Sequence, residues 1–213
     1  MSERETPAGG RSRTAPREVR RSQLIDATIS CIARHGISGT TMAMIAGKAG
    51  LSTGIVNFHF DSKQKLYEET IVYLAQEHHD KWFREYSNAG LSAAEKLLAI
   101  ADAHFHAKIC TPGKLAVWYA FFGEARRRAV YRDLIDRIDT RRFALSLQLC
   151  EEICRDGGYT SVNARVVAQT LEVMYDGFCL HILMYPRDLT RKDARAQIRT
   201  YLATVFPDHF TAP

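Results

Sequence analysis

The run Ala46 to Gly50 and the Ser52-Thr53-Gly54 that follows it limit the possible folds of this chain more than any other stretch. The small side chains of Ala46 and Ala49 let two helix backbones cross closely, Gly50 ends one helix and Ser52 caps the next. The spacing predicts two short helices joined by a tight turn, with the start of the second presented outward. Thr40 or Thr41 caps the helix before the turn, which carries Met44, Ile45 and Ala49. Upstream, Leu24, Ala27, Thr28, Cys31 and Ile32 form a stripe at helical spacing that ends at Gly36. Downstream, Asp61 and Gln64 have the spacing of a capping box for a fourth helix carrying Leu66, Thr70 and Leu74. Three short helices on a longer one bury a single small core.

The pattern stays helical to the end. Ser92 and Glu95 form a second capping box for a helix through Leu98, Ala101, Phe105 and Ile109, stopping before Pro112. Residues 115–122 are too apolar and aromatic for an exposed helix and belong inside the body. A long helix from about residue 131 to 155 stops at Gly157-Gly158, and another from about 162 to 184 is closed by Pro186. Thr190 and Asp193 cap a last helix through Ile198 and Leu202. The predicted class is all-α: an N-terminal three-helix unit with a helix-turn-helix, joined by a long fourth helix to a helical C-terminal region. The expected boundaries are an arm over residues 1–19, the helix-turn-helix unit over 20–66 and the body over 67–213.

Charge separates these parts. Residues 1–66 carry ten Lys/Arg against five Asp/Glu, and residues 67–213 carry nineteen of each, so the formal +5 lies in the first third. A basic module beside a neutral body fits phosphate binding. A solubilising role for Arg11, Arg13, Arg17, Arg20 and Arg21 is the plainer alternative.

On the second helix of the turn motif, Ser52, Thr53, Asn57 and His59 offer hydroxyl, amide and imidazole groups to phosphates or base edges. Asn57 is the expected base reader, because a carboxamide pairs with adenine through two hydrogen bonds. Gly54 costs about 1 kcal/mol relative to Ala inside a helix. Close approach of DNA would explain it, and so would simple tolerance in a first turn. Thr41, Lys48, Lys63 and Arg20 are the expected phosphate contacts. Ile55, Phe58 and Phe60 are expected to hold the helix down, and His59 suits a surface spacer equally well.

Other chemistries find little support. His104 and His106, at i,i+2, do not converge on one helix face. No paired carboxylates, activated nucleophile, phosphate-binding glycine loop or metal-ligand spacing stands out, so neither catalysis nor a bound metal or cofactor is expected. The five cysteines lack a paired framework; Cys150 and Cys154 share a helix face without further ligands nearby. No stretch reaches the ~18 apolar residues that span a bilayer, and a soluble, cytoplasmic chain is expected.

Over residues 20–68 the chain resembles the TetR family of transcriptional regulators. The likeness rests on Gln23-Leu24-Ile25-Asp26-Ala27, Gly36, Thr40-Thr41-Met42-Ala43-Met44-Ile45-Ala46, Ala49-Gly50-Leu51-Ser52-Thr53-Gly54, Phe58-His59-Phe60, Lys63 and Leu66-Tyr67. Within the family it is similar to the choline-responsive repressors of glycine betaine synthesis genes. Trp118-Tyr119-Ala120-Phe121-Phe122, Tyr131-Arg132, Arg141-Arg142 and Tyr175-Asp176-Gly177 carry that likeness into the body, whereas residues 123–128 are more charged than those relatives lead one to expect. The resemblance implies a homodimeric repressor on a palindromic operator, released by choline or a related quaternary amine. A different small hydrophobic or cationic metabolite is the alternative inducer.

The residues supply suitable material. Trp118, Tyr119, Phe121 and Phe122, with Phe105, Tyr175 and Phe178 from other helices, are expected to cage a trimethylammonium group, and Asp176, with Glu124 as the alternative, to balance its charge. The plainer reading of each ring is core packing. Leu171, Met174, Phe178 and Leu183, with Leu145, Leu149 and Ile153, are candidates for a two-fold helical interface or for the subunit core. The fourth helix is the expected link between the two activities.

Overall fold

The computed structural model describes residues 16–125 and 129–212. The expected arm as far as residue 15, including Arg11 and Arg13, and the run 126–128 lie outside them. The described residues form nine α-helices and no strand: α1 (Arg17–Gly39), α2 (Met42–Ala49), α3 (Thr53–His59), α4 (Lys63–Tyr86), α5 (Ala93–His104), α6 (Pro112–Ala125), α7 (Ala129–Asp156), α8 (Ala164–Met184) and α9 (Arg191–Val205). The all-α expectation and the long fourth helix are observed.

The helix ends show where local chemistry decides. Thr41 Oγ1 accepts from Met44 N at 3.2 Å and opens α2. Gly50 closes it at φ 66°, and the Leu51 amide reaches back to Ala46 O at 2.9 Å. Gly36, at φ 70°, kinks α1 without ending it, so the helix resumes to Gly39. The capping boxes at Ser92/Glu95 and Thr190/Asp193 form as expected.

Two boundaries differ from the sequence reading. The helix α4 starts at Lys63, which makes Ser62 its cap in place of Asp61: Ser62 Oγ accepts from Lys65 N at 3.1 Å. Pro112 does not stop a helix running from residue 93. The helix α5 ends at His104, and Pro112 opens α6, where its missing N–H costs nothing and Thr111 Oγ1 caps Lys114 N at 3.3 Å.

Two hydrophobic cores result. The first gathers Leu24 and Ile32 of α1, Ile45 of α2, Val56 of α3 and Leu66, Tyr67 and Ile71 of α4, and it also takes in Val117 and Phe121 of α6 and Tyr131 of α7. Tyr67 fastens this core from within, its hydroxyl donating to Ile37 O at 3.2 Å. Burial pushes that phenol up to about 12. The second core joins Trp82 of α4, Leu97 and Ile100 of α5, Leu149 and Ile153 of α7, Leu171 and Tyr175 of α8 and Ile198 and Leu202 of α9. Both α4 and α6 contribute to both sides, and α1 packs along α6.

A polar stack crosses the second core. The rings of His78 and His104 meet edge-on at 4.2 Å, and His104 stacks on Tyr175 at 4.1 Å. His104 Nδ1 donates to Ile100 O at 3.0 Å, which assigns its tautomer. Burial, with the Arg142 guanidinium next, pushes His78 down to about 3, and burial holds His104 well below the usual imidazole range. Both rings are neutral when folded and protonate on unfolding in mild acid.

Two outcomes follow. A Gly50→Ala variant, forced into the left-handed region, should lose about 1 kcal/mol, read as a melting temperature lower by roughly 2–4 °C. For the histidines, the unfolded chain binds more protons below pH 6.5, so their stability contribution is complete above that value and drains away towards pH 3. Chemical denaturation between pH 7 and pH 5 should show a loss approaching about 1.4 kcal/mol per pH unit for each ring; a flat profile contradicts neutral burial.

Candidate DNA interface and ligand cavity

The helix α3 has seven residues, too few for a full apolar stripe, so it is held by its ends. Ser52 Oγ accepts from Ile55 N at 3.4 Å, Val56 is fully buried, and the buried Phe60 follows its last turn. Ser52, Thr53, Gly54 and Asn57 are exposed, with Thr53 and Asn57 one turn apart on the same face. A Cβ placed on Gly54 would meet only Ser52 Oγ, at 3.8 Å, so nothing inside the monomer requires glycine there.

Two expectations for this helix are reversed. Phe58 is 76% exposed, and Ile55 also lies on the surface, instead of holding the helix down. Val56, fully buried, takes the inner position. His59, expected to contact DNA or act as a surface spacer, is 9% exposed and lies edge-on to Phe58 at 5.3 Å. Burial, followed by the charges of Arg17, Arg21 and Arg20, lowers its pKa. It packs the end of the helix and stands apart from the exposed Thr53–Asn57 face.

The flanking cations divide in the same way. Arg21 is a staple: it donates to His59 O at 2.7 Å, pairs with Glu69 of α4 and lies 4.5 Å from the centre of the Phe60 ring. Arg20 bonds Gln23 Oε1 at 2.9 Å, and Gln23 in turn holds Ala49 O at 2.6 Å, tying α1 to the end of α2. Lys48 and Thr41 are exposed on α2 and at its cap, and Lys63 is half-buried with its ammonium 5.3 Å from the Tyr67 ring.

In the body, Trp118, Tyr119 and Phe122 of α6 line a cavity with Asp176 and Cys179 of α8. Trp118 and Tyr119 contact Phe122 at 6.1 and 5.6 Å between ring centres. Tyr119 Oη donates to Asp176 O at 2.7 Å, and burial, then the nearby Cys179 and Asp176, raise its pKa. The cavity has a volume of about 60 Å³.

Phe105 and Tyr175 do not line this cavity. Both are fully buried behind it, where Phe105 meets Tyr175 at 6.3 Å and Phe178 at 6.2 Å. Phe105, just past the end of α5, and Tyr175 of α8 pack into the second core instead. The sequence reading missed His78, His104 and Arg142, which complete the lining. Arg142 is 8% exposed and is held by Glu172, with Nε at 2.7 Å and Nη2 at 2.5 Å from one carboxylate oxygen. These residues come from α4, α5 and α7, so no spacing along the chain could reveal their convergence.

The outer side of α8 carries an apolar stripe, flanked by the exposed Gln169, Asp176 and His181. Val166, Val173 and Leu180, seven residues apart, are exposed together with Met184. Leu149, Ile153 and Leu171 are core residues, and Leu145, Met174, Phe178 and Leu183 pack half-buried against them. Of the candidates shared between core and interface, Leu149, Ile153 and Leu171 belong to the subunit core. No helix among the described residues is long and apolar enough to cross a membrane, and no group of metal-ligating side chains gathers among them.

Known proteins share this arrangement. Residues 24–70 match the family of bacterial regulatory proteins of the TetR type, and residues 93–207 match the C-terminal region of BetI-type transcriptional repressors. The HTH-type transcriptional regulator BetI of Paraburkholderia phymatum is 35% identical over 77% of this chain and 81% of its own length. A regulator from Pseudomonas aeruginosa PAO1 superposes with a TM-score of 0.79 at 25% identity, over 92% of this chain and 94% of its own. A regulator from Saccharomonospora viridis, solved with choline, shares the fold with a TM-score of 0.76 at 20% identity, over 87% of this chain and 96% of its own. With its helix-turn-helix, α4 and α6 shared between two cores and a match over most of its length, the chain belongs to the TetR family of bacterial transcriptional regulators.

Proposed function

We propose that this ligand-responsive repressor binds a palindromic operator as a homodimer and is released by choline or a related quaternary amine. The observation that carries the inducer is the cavity of Trp118, Tyr119 and Phe122 with Asp176 at its edge. Ring faces attract a cation whose methyl groups shed water easily, at about 0.5 to 2 kcal/mol per contact. The S. viridis regulator solved with choline shows that this fold accommodates the ligand in another protein.

In this reading residues 20–66 read DNA, and residues 67–213 sense the inducer and pair subunits. Thr53 and Asn57 read bases, with the exposed Phe58 beside them; Ser52, Thr41, Lys48, Lys63 and Arg20 contact phosphates. The apolar stripe of α8 is the two-fold contact that spaces two reading helices one turn of DNA apart.

Coupling runs through α6 as well as α4. Val117 and Phe121 sit in the core of the reading unit while Trp118, Tyr119 and Phe122, on the same two turns, face the cavity. An occupant that shifts α6 therefore moves the core on which α3 stands. A tenfold loss of operator affinity needs only about 1.4 kcal/mol of differential binding.

In calorimetric titration, choline or betaine aldehyde should bind, and Trp118→Ala should weaken that binding tenfold or more while operator affinity without ligand is retained. No heat with either amine refutes the cage, and a response to another small cation or apolar metabolite alone assigns the cavity to that class. Equal operator affinity with and without saturating amine refutes the coupling. On the DNA side, Asn57→Ala should relax sequence preference in a selection from random duplexes, whereas neutralising Lys48 or Lys63 should weaken all sequences alike and lower the salt slope by about one. Gly54→Ala should stabilise α3 by up to about 1 kcal/mol and yet weaken operator binding; tighter or unchanged binding rules out close approach of DNA at that residue.

A further inference from the structure

We propose that the cleft between α4 and α7 binds a small organic anion, a carboxylate or a phosphate ester, at a site separate from the aromatic cavity. The cleft opens beside the aromatic cavity, with which it shares His78 and Arg142. Its α7 wall presents Arg137, Arg141 and Arg142, and its α4 wall presents Gln76, His79 and Trp82. No carboxylate lines it among the described residues.

Three observations make this a built site. First, the cations are converged: Arg137 and Arg141 lie one turn apart on the same side of α7, and Arg142 is held in place by Glu172. On α4, Asp80 is bound by Gln76 Nε2 at 2.6 Å and by His79 Nδ1 at 3.4 Å. Second, His78 is 7% exposed and stands in the wall common to the cleft and the aromatic cavity, and its Nε2 has no hydrogen-bond partner. His79 Nε2, also lining the cleft, has none either. Buried polar atoms of this kind mark a place where a partner is missing. Third, Trp82 and Val72 give the cleft an apolar side, which favours an anion with a carbon skeleton over a bare inorganic ion.

The anion would be clamped between arginines of α7 and donors of α4, the helix that carries the reading unit. Its binding would therefore bear on the same mechanical element as the inducer, with His78 and Arg142 as the wall between the two ligands. The proposal stands whether or not the aromatic cavity takes choline.

The chain's two tryptophans separate the sites: Trp82 lines the cleft and Trp118 the aromatic cavity. In a full-length Trp118→Phe variant, fluorescence of Trp82 is followed during titration with butyrate, methyl phosphate and n-butylammonium at constant ionic strength. At least one anion should give a saturable change with a Kd below about 1 mM, and the ammonium none. Replacing the exposed Arg137 and Arg141 together by Ala should weaken the anion tenfold or more, with the helical content unchanged by circular dichroism. Response to butyrate alone assigns a carboxylate, and response to methyl phosphate alone a phosphate ester. No saturable change with either anion, or an equal change in the double variant, overturns the site. Choline is read separately on Trp118 in a Trp82→Phe variant, so failure there leaves the anion result standing.

Discussion

Residues 115–122 make two turns of helix without a charged side chain, and such a helix has no face to give to water. It must be covered all round, and the fold does so by placing α6 between the reading unit and the body, where none of these eight residues is exposed. One side of the helix completes the first core through Val117 and Phe121; the other supplies the rings of the cavity. The two activities of the chain are therefore not joined by a linker. They share a packed element, and a close-packed interior passes small displacements on because it has no slack to absorb them.

The second shared element, α4, is anchored differently at its two ends. Near its start, Arg21 of α1 grips Glu69, the end of α3 and the Phe60 ring at once, so the reading helix, α1 and α4 move as a body. Farther along, His78 and Trp82 enter the second core, where the neutral imidazoles and the Arg142–Glu172 pair face the cavities. Burying an ion pair costs several kcal/mol in desolvation, so this one contributes less to stability than to position. It holds one guanidinium at the junction of the two cavities, beside the His78 ring that lines both.

Much of this was legible along the chain because it depends on neighbours. Caps at Thr41, Ser52, Ser92 and Thr190, the left-handed turn at Gly50 and the apolar run over 115–122 all act within a few residues, and each appears in the fold. The errors occurred where two local readings competed. Ser62 displaces Asp61 as the cap because α4 begins one residue later, and Pro112, locally a stop signal, starts α6 instead. For Phe58 and His59, hydrophobicity alone assigned the wrong sides: the ring that looks like core is outside, and the imidazole that looks like surface is inside.

The sequence by itself determined the helical class, the turn between α2 and α3, the outward residues Thr53 and Asn57 and the placing of the rings on α6, because periodicity and capping operate over one or two turns. Only the tertiary structure decided that Phe105 and Tyr175 stand behind the cavity, that His78, His104 and Arg142 join its lining, and that α6 belongs to both cores. Those choices depend on how α4, α5, α6, α7 and α8 rotate against one another. That rotation is set by packing between residues up to a hundred positions apart, which leaves no period or motif in the chain.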